Sequence, residues 1–156
     1  MTKSVYALVL ASALAIIALP SLELTGPAVV LAQDVAHKIA VHVDENDPRR
    51  MNLALNNVEN IKKHYDAKGE KVIIELVAYG PGLHMFREDT SPVKDRIATM
   101  SLAIEGLIFS ACGNTHSKMS AKAGKEIKLV SEASKVPSGV VRLIELQEHG
   151  YAYVRP

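Results

Sequence analysis

Five short segments of the chain have the apolar pattern of β-strands. In Lys38–Val43 the apolar side chains alternate, so that three β-branched residues share one face, which is typical of a strand. Lys71–Tyr79 is β-branched and mostly apolar, which indicates a buried strand. Three shorter segments are also predicted to be strands: Leu107–Ala111, Ser131–Val136 and Tyr151–Val154.

Helical periodicity fills the intervals between these strands. After Asp47 and Pro48, apolar residues recur every three or four positions until Gly69. Aspartate is a favoured N-cap, and proline at the first helical position sacrifices no hydrogen bond, so a helix is predicted to begin here. A second helix, capped by Ser91 and also starting with a proline, is predicted to end at Gly106.

The last third of the chain contains two more predicted helices. Asn114–Ile127 is rich in lysine and alanine and is weakly helical, whereas Ser138 is expected to cap a helix that continues to Glu148. The residues of this last helix expected to face inward are Val140, Leu143, Ile144 and Leu146. Strands and helices that alternate with short connections predict a three-layer α/β domain on a mainly parallel sheet.

The first 32 residues have the layout of a secretory signal peptide. Lys3 gives a basic start, Val5–Leu19 is an apolar run, and Val30–Ala32 has the small residues of a cleavage site. The alternative is an uncleaved membrane anchor, but the run is shorter than the roughly 20 residues that a spanning helix needs. We therefore predict cleavage after Ala32, a single mature domain of residues 33–156, and a periplasmic or secreted protein that is not membrane-bound.

Composition narrows the possible chemistry. The net charge is +1 and no basic stripe is interleaved with aromatic residues, so nucleic-acid binding is not expected. The six histidines show no metal-ligand spacing, and neither a metal nor a cofactor is predicted. Cys112 is the single cysteine, so it cannot form a disulfide within the chain.

Candidate site residues lie after three of the predicted strands, because ligands of α/β folds gather at the carboxyl edge of the sheet. The first loop begins with Asp44 in an acidic turn that can bind a cation or cap the following helix. The second loop carries Gly80 and Gly82, which suit a tight turn and lack the pattern of a phosphate loop. His42 and His84 approach the same edge and are candidates either for proton transfer or for a structural role.

Four asparagines in the first helix are unusual because asparagine is a poor helix former. Positions 52, 56 and 60 share one face, with Asn57 beside it. This face is either solvated or hydrogen-bonded to a neighbouring subunit or backbone. Asn57 is retained as a candidate binding residue.

Cys112 ends a predicted strand and directly precedes a helix start. Backbone N–H groups at a helix N-terminus, here near Asn114 and Thr115, favour a thiolate, and Gly113 allows close approach of a charged group. His116 is near enough in sequence to add positive charge. A nucleophilic or sulfur-carrying cysteine is one interpretation, and an inert, buried strand-end cysteine is the other.

Four stretches resemble the DsrE/DsrF-like family, in particular its small, often exported branch of intracellular-sulfur-oxidation-type proteins. They are VHVDENDPRRMNLALNNVEN (41–60), AYGPGLHM (78–85), FSACGNT (109–115) and VPSGVVRLIELQEHGYAYVRP (136–156). The resemblance implies an α/β/α sandwich with a five-stranded, mostly parallel sheet, assembled as a homotrimer or homohexamer. It also implies sulfur relay, in which a cysteine accepts and passes on a persulfide sulfur to or from a partner protein.

The resemblance departs from the family at one position. Sulfur-relay members usually carry the working cysteine after the second strand, where this chain has His84 and Met85 instead. Cys112 matches the cysteine of the ACGNT stretch, which leaves it as the candidate sulfur carrier, with Asn114 and Thr115 steadying the thiolate and His84 helping proton transfer.

Two functions from different classes follow. The first is a periplasmic sulfur-relay or sulfurtransferase-like protein that carries sulfane sulfur on Cys112. The second is a non-catalytic oligomeric protein that binds a small anion or a protein partner at the same edge, through Asp44, Asn57 and His84.

Overall fold

Five strands form one sheet in the order β4-β3-β2-β1-β5 in the computed structural model of the chain, which describes residues 36–156. The strands are β1 (His37–Val43), β2 (Val72–Ala78), β3 (Leu107–Cys112), β4 (Ala133–Val136) and β5 (Ala152–Val154). All neighbouring strands are parallel. The predicted mainly parallel sheet is thus entirely parallel in the described residues.

The strands are connected by helices. These are α1 (Pro48–Asp66), α2 (Lys94–Ala103), α3 (Gly113–Ala123) and α4 (Gly139–Glu148), with a 3₁₀ helix at Gly80–Phe86. Asp47 caps α1 as predicted, because its carboxylate accepts the N–H of Arg49 at 2.9 Å.

Alternating side chains of the strands supply two cores. One face of the sheet packs against α1 and α2 in a large cluster that includes Met51, Leu55, Ile97, Phe86 and Phe109. The opposite face has a smaller cluster, in which Leu143 and Leu146 of α4 pack on Ala40 and Val77. Helices therefore cover both faces of the sheet, and the predicted three-layer α/β/α sandwich is confirmed.

Under α4 the sheet also carries a buried carboxylate. Glu75 of β2 is only 1% exposed, and both of its oxygens accept hydrogen bonds from the Arg142 guanidinium at 2.7 Å. The Ser110 hydroxyl donates to the same carboxylate at 2.6 Å. This bidentate ion pair joins α4 to the middle of the sheet.

The inward face predicted for α4 is wrong in part. Leu143 and Leu146 are buried, but Val140 and Ile144 are each 50% exposed. The reason is that α4 lies on the sheet along a narrow stripe shared by these leucines and Arg142. The other apolar residues of the helix are consequently left half exposed.

Two predicted helix boundaries and one predicted cap also differ from the structure. Ser138 stands at the N-cap of α4, yet its side chain makes no capping hydrogen bond. Ser91 Oγ accepts the Val93 N–H at 3.2 Å, as a capping side chain does, and donates to the Met85 carbonyl, but α2 begins only at Lys94. The third predicted helix stops at Ala123, because Gly124 adopts the left-handed conformation (φ 64°) that ends a helix.

The Gly80–Gly82 segment begins a 3₁₀ helix and is more than the predicted tight turn. Gly80 has a positive φ of 53°, as expected of a turn glycine. Gly82 is required for a different reason: a Cβ atom there would lie 2.4 Å from the Val43 carbonyl oxygen. The glycine lets this helix pack directly on the end of β1.

No helix within residues 36–156 is long and apolar enough to cross a membrane. The signal segment predicted over residues 1–32 lies outside the described residues, as does its cleavage site after Ala32.

Candidate functional site

The carboxyl ends of β1, β2 and β3 bring the three predicted loops to one edge of the sheet. Val43 is paired with Ala78, and Ala78 with Ala111, so the next residue of each strand lies at the same level. These next residues are Asp44, Tyr79 and Cys112. A hydrogen bond of 3.0 Å from the Gly80 N–H to the Thr115 hydroxyl ties the second loop to α3.

Cys112 occupies the N-cap of α3. Its Sγ accepts the backbone N–H of Thr115 at 3.4 Å, in the manner of a capping side chain. The residue is only 4% exposed. The predicted position of the thiol, at a strand end and against a helix N-terminus, is therefore what the structure shows.

A second helix N-terminus lies against Cys112. Gly139 is the first residue of α4, and its backbone N–H lowers the pKa of the Cys112 thiol. A Cβ atom at position 139 would lie 3.1 Å from the Cys112 Cβ and 2.8 Å from the Tyr79 Cβ. Only glycine lets α4 approach this closely.

The donors around the sulfur decide its protonation. Burial raises the pKa of the Cys112 thiol, but the hydroxyl of Thr115 and the N–H groups of Gly139, Thr115 and Asn114 lower it by more. The net effect places this pKa below its ordinary value. The Thr115 hydroxyl accepts from Gly80, which leaves its own proton free to point at the sulfur.

Tyr79 stands beside Cys112 and is protonated at neutral pH. Burial and the nearby Asp44 carboxylate raise the pKa of its phenol. The His42 ring stacks on the tyrosine ring with centroids 4.7 Å apart and an angle of 18° between planes. Tyr79 thus separates the cysteine from a second group of polar residues on β1 and β5.

That second group is centred on His42, which is 5% exposed. Its Nδ1 lies 2.7 Å from the Tyr153 hydroxyl, and Asp44 beside it pairs with Arg155 through oxygens at 2.9 and 3.0 Å from one guanidinium nitrogen. Burial lowers the pKa of His42, and the positive charge of Arg155 adds to this, while Asp44 opposes it. His42 is therefore neutral at neutral pH.

The other ring nitrogen of His42 is buried and makes no hydrogen bond within residues 36–156. It adjoins a cavity of about 10 Å³, which is the size of one water molecule. The residues lining this cavity are His42, Val43, Asp44, Glu45, Arg50 and Pro156. A water in this cavity would satisfy the free nitrogen of His42.

The structure does not bring every predicted site residue to Cys112. His84 lies in the 3₁₀ helix, where its Nε2 is 2.9 Å from the Thr90 carbonyl oxygen. In the described part of the chain no hydrogen bond joins it to the cysteine, so its role in proton transfer stays a prediction. His116 is buried, with its Nε2 2.6 Å from the Ile127 carbonyl oxygen, and does not point at the sulfur.

Asn57 is partly buried on α1 and does not belong to the group around Cys112. The asparagine face that includes Asn52 and Asn56 has a partner inside the chain. Their amide oxygens accept from the Arg96 guanidinium of α2 at 2.7 and 2.9 Å. These asparagines therefore join two helices on the far side of the sheet.

Two residues of the site had no sequence signal. Gly139 is distant from Cys112 in the chain, and Tyr79 had the pattern of an ordinary strand end. Their proximity to the thiol comes from strand register and from the docking of α4. Within the described residues no group of three or more histidine, cysteine, aspartate or glutamate side chains is arranged to hold a metal ion.

No family model and no curated protein matches the chain. Among solved structures, the chain is similar to MTH1491, a protein of unknown function from Methanobacterium thermoautotrophicum, with 32% sequence identity and a TM-score of 0.63. The likeness covers 77% of this chain and 99% of the archaeal one. At this identity, over nearly the full length of its relative, the chain belongs to the same family as MTH1491.

Proposed function

We propose that this protein is a sulfur carrier of the DsrE/DsrF-like type, in which Cys112 takes up a sulfane sulfur and passes it to an acceptor. The single observation that carries the proposal is that the N-termini of α3 and α4 both lie against Cys112, whose Sγ accepts the Thr115 N–H at 3.4 Å. Donors aimed at a sulfur stabilise a thiolate, and the thiolate is the form that attacks sulfur. The same donors would stabilise the persulfide anion formed by that attack.

The proposed uptake step is balanced without any redox partner. The Cys112 thiolate attacks the outer sulfur of thiosulfate, a Cys–S–S⁻ bond forms, and sulfite leaves with the electron pair of the broken S–S bond. In the release step an acceptor thiolate attacks the outer sulfur of the persulfide, and Cys112 leaves as thiolate. With an exposed fraction of 4%, Cys112 admits a small inorganic donor more readily than a folded one.

Export and assembly belong to the same proposal. The predicted leader supports a periplasmic or secreted protein. Homotrimers or homohexamers are supported by apolar side chains that α4 leaves exposed on the domain, namely Val140, Val141 and Ile144.

The test is intact mass spectrometry of the purified protein after incubation with thiosulfate or polysulfide. We expect an adduct of about 32 Da per sulfur atom on Cys112, removed by a reducing thiol, because the site holds a reactive thiolate. Cys112→Ser is the control and takes up nothing. An unmodified wild-type mass under the same conditions would contradict the proposal.

The burial of Cys112 favours a second candidate, a non-catalytic oligomeric protein that binds a small anion or a partner at this edge. In that case the helix N-termini hold the ligand, and the cysteine is only a packing residue. Cys112→Ser would then leave binding and assembly unchanged, while Asp44→Asn or His84→Ala would alter them.

A further inference from the structure

Glu75 is a buried charge that the proposed sulfur chemistry does not use. It lies four residues before Tyr79 on β2, roughly 13 Å along the strand from the level of Cys112. Arg142 of α4 and Ser110 of β3 satisfy its carboxylate, and Glu145 lies 3.6 Å from the same guanidinium. Burying such a carboxylate costs free energy unless it is well paired. A buried ion pair of this kind can therefore serve to fix the position of a helix more than to stabilise the fold.

The contact fixes α4 in a way that its apolar packing does not. The apolar part of the interface is a small cluster, in which Leu143 and Leu146 pack on two sheet residues with Tyr79 and Tyr151 beside them. Apolar contact of this kind has no preferred direction and resists sliding of the helix only weakly. The guanidinium instead meets the carboxylate through two parallel hydrogen bonds of 2.7 Å, which define both the height and the rotation of the helix.

Arg142 is joined to the first turn of the helix. The backbone N–H of Arg142 donates to the Ser138 carbonyl at 2.9 Å, and Gly139 follows Ser138 directly in the chain. We propose that the Glu75–Arg142 ion pair is a positioning device, which holds the first turn of α4 so that the Gly139 N–H reaches Cys112 Sγ. The inference rests on the proposed function only in taking Cys112 as the working group.

The sign of the effect separates positioning from simple electrostatics. If Glu75 acted on the thiol by its charge alone, removing the negative charge would favour the thiolate. If Glu75 acts by positioning α4, removing it withdraws the Gly139 N–H and disfavours the thiolate. The two mechanisms therefore shift the pKa of Cys112 in opposite directions.

The experiment measures the rate of Cys112 alkylation by iodoacetamide against pH in the full-length protein. The midpoint of this profile reports the thiol pKa, and the plateau reports access to the thiol. Tyr79 is a titratable neighbour, and burial raises the pKa of its phenol, which moves it further from the pKa of the thiol. The variants are Glu75→Gln, which removes the charge, and Arg142→Lys, which keeps the charge but not the paired geometry.

We expect the midpoint to rise in both variants, so that the rate at neutral pH falls by about threefold to tenfold. Ile97→Val is the matched control, because it removes a methyl group from the core on the opposite face and leaves α4 untouched. It should lose stability without moving the midpoint. Arg142→Lys keeps the test open if Glu75→Gln does not fold.

An unchanged or lowered midpoint in these variants would overturn the inference. Failure of the proposed function is a separate result: the wild-type protein would show no sulfur adduct while the midpoints still shifted.

Discussion

Thr115 acts on the sulfur in two ways: its backbone N–H donates to Cys112 Sγ at 3.4 Å, and its hydroxyl lowers the pKa of the thiol. Thr115→Val keeps the backbone and the branched shape but removes the hydroxyl. We expect the pKa of Cys112 to rise and alkylation at neutral pH to slow by about threefold to tenfold, since a hydrogen bond to a charged group is lost. The measurement is the pH profile of alkylation. Thr115→Ser should behave like the wild type, and a Val variant with an unshifted profile would rule out this donor.

His42 makes stability depend on pH in a defined direction. Its pKa is lowered in the folded state, so the unfolded chain, with a pKa of about 6.5, takes up a proton first. The stabilisation is complete above about pH 6.5 and is lost as the pH falls towards the folded pKa. Urea unfolding between about pH 8 and about pH 5 should show this loss.

The control for that prediction is His42→Asn, which cannot titrate but can still meet the Tyr153 hydroxyl. Its free energy of unfolding should fall less steeply over the same range. Equal slopes in the two proteins would show that another group causes the acid sensitivity.

The chemistry of single residues was predictable where it depends on near neighbours in sequence. Cys112 and Thr115 lie within one helix turn, so a strand end followed by a helix start was enough to predict a capped thiol. Tyr79 and Gly139 come to lie beside Cys112 through long-range packing. No local pattern encodes that contact.

Gly139 lets the first turn of α4 pack onto the sheet edge. In Gly139→Ala the new Cβ would meet the Tyr79 Cβ at 2.8 Å, which forces the helix start to move. We expect a loss of about 1–3 kcal/mol of unfolding free energy and a raised pKa of Cys112. Urea unfolding and the alkylation profile measure the two effects.

Ser138→Ala is the matched control for this prediction. Ser138 occupies the cap position without a capping hydrogen bond, so its replacement should change neither quantity appreciably. Suppose that Ser138→Ala lost as much stability as Gly139→Ala. The effect would then come from the N-cap of α4 and not from the close approach of the helix to Tyr79.

Helices were predictable from periodicity, but their faces and ends depended on tertiary contacts. The apolar stripe of α4 is narrower than predicted, because Arg142 occupies a position against the sheet that an apolar residue would otherwise fill. Val140 and Ile144 are then left outside. Similarly, Ser91 Oγ contacts both the Val93 N–H and the Met85 carbonyl, and α2 starts at Lys94, later than its proline suggests.

Assembly of several chains would explain the apolar residues left on α4. We expect the wild-type protein to sediment as a trimer or hexamer. The double variant Val140→Lys/Ile144→Lys should sediment as a monomer, because assembly would bury four lysine charges at each contact between two copies, which is unfavourable. Leu102→Lys is the control, since this leucine is 90% exposed on α2. A monomeric wild-type protein would contradict the proposed assembly.

The fold as a whole was the most predictable feature. Five apolar segments that alternate with helical periodicity leave few arrangements other than a parallel sheet with helices on both faces. The strand order β4-β3-β2-β1-β5 was not predictable in the same way. It depends on which edges pair, and that choice is made by packing across the whole domain.

Sulfur uptake followed against pH tests directly whether Cys112 is a preorganised, sulfur-carrying thiolate. Wild-type protein is incubated with thiosulfate over a range of pH, and the initial rate of the Cys112 adduct is measured by mass spectrometry. We expect uptake with a midpoint below the ordinary cysteine pKa of about 8.5, and none in Cys112→Ser. The absence of an adduct, or a midpoint at or above that value, would contradict a thiolate held by two helix N-termini as the sulfur carrier.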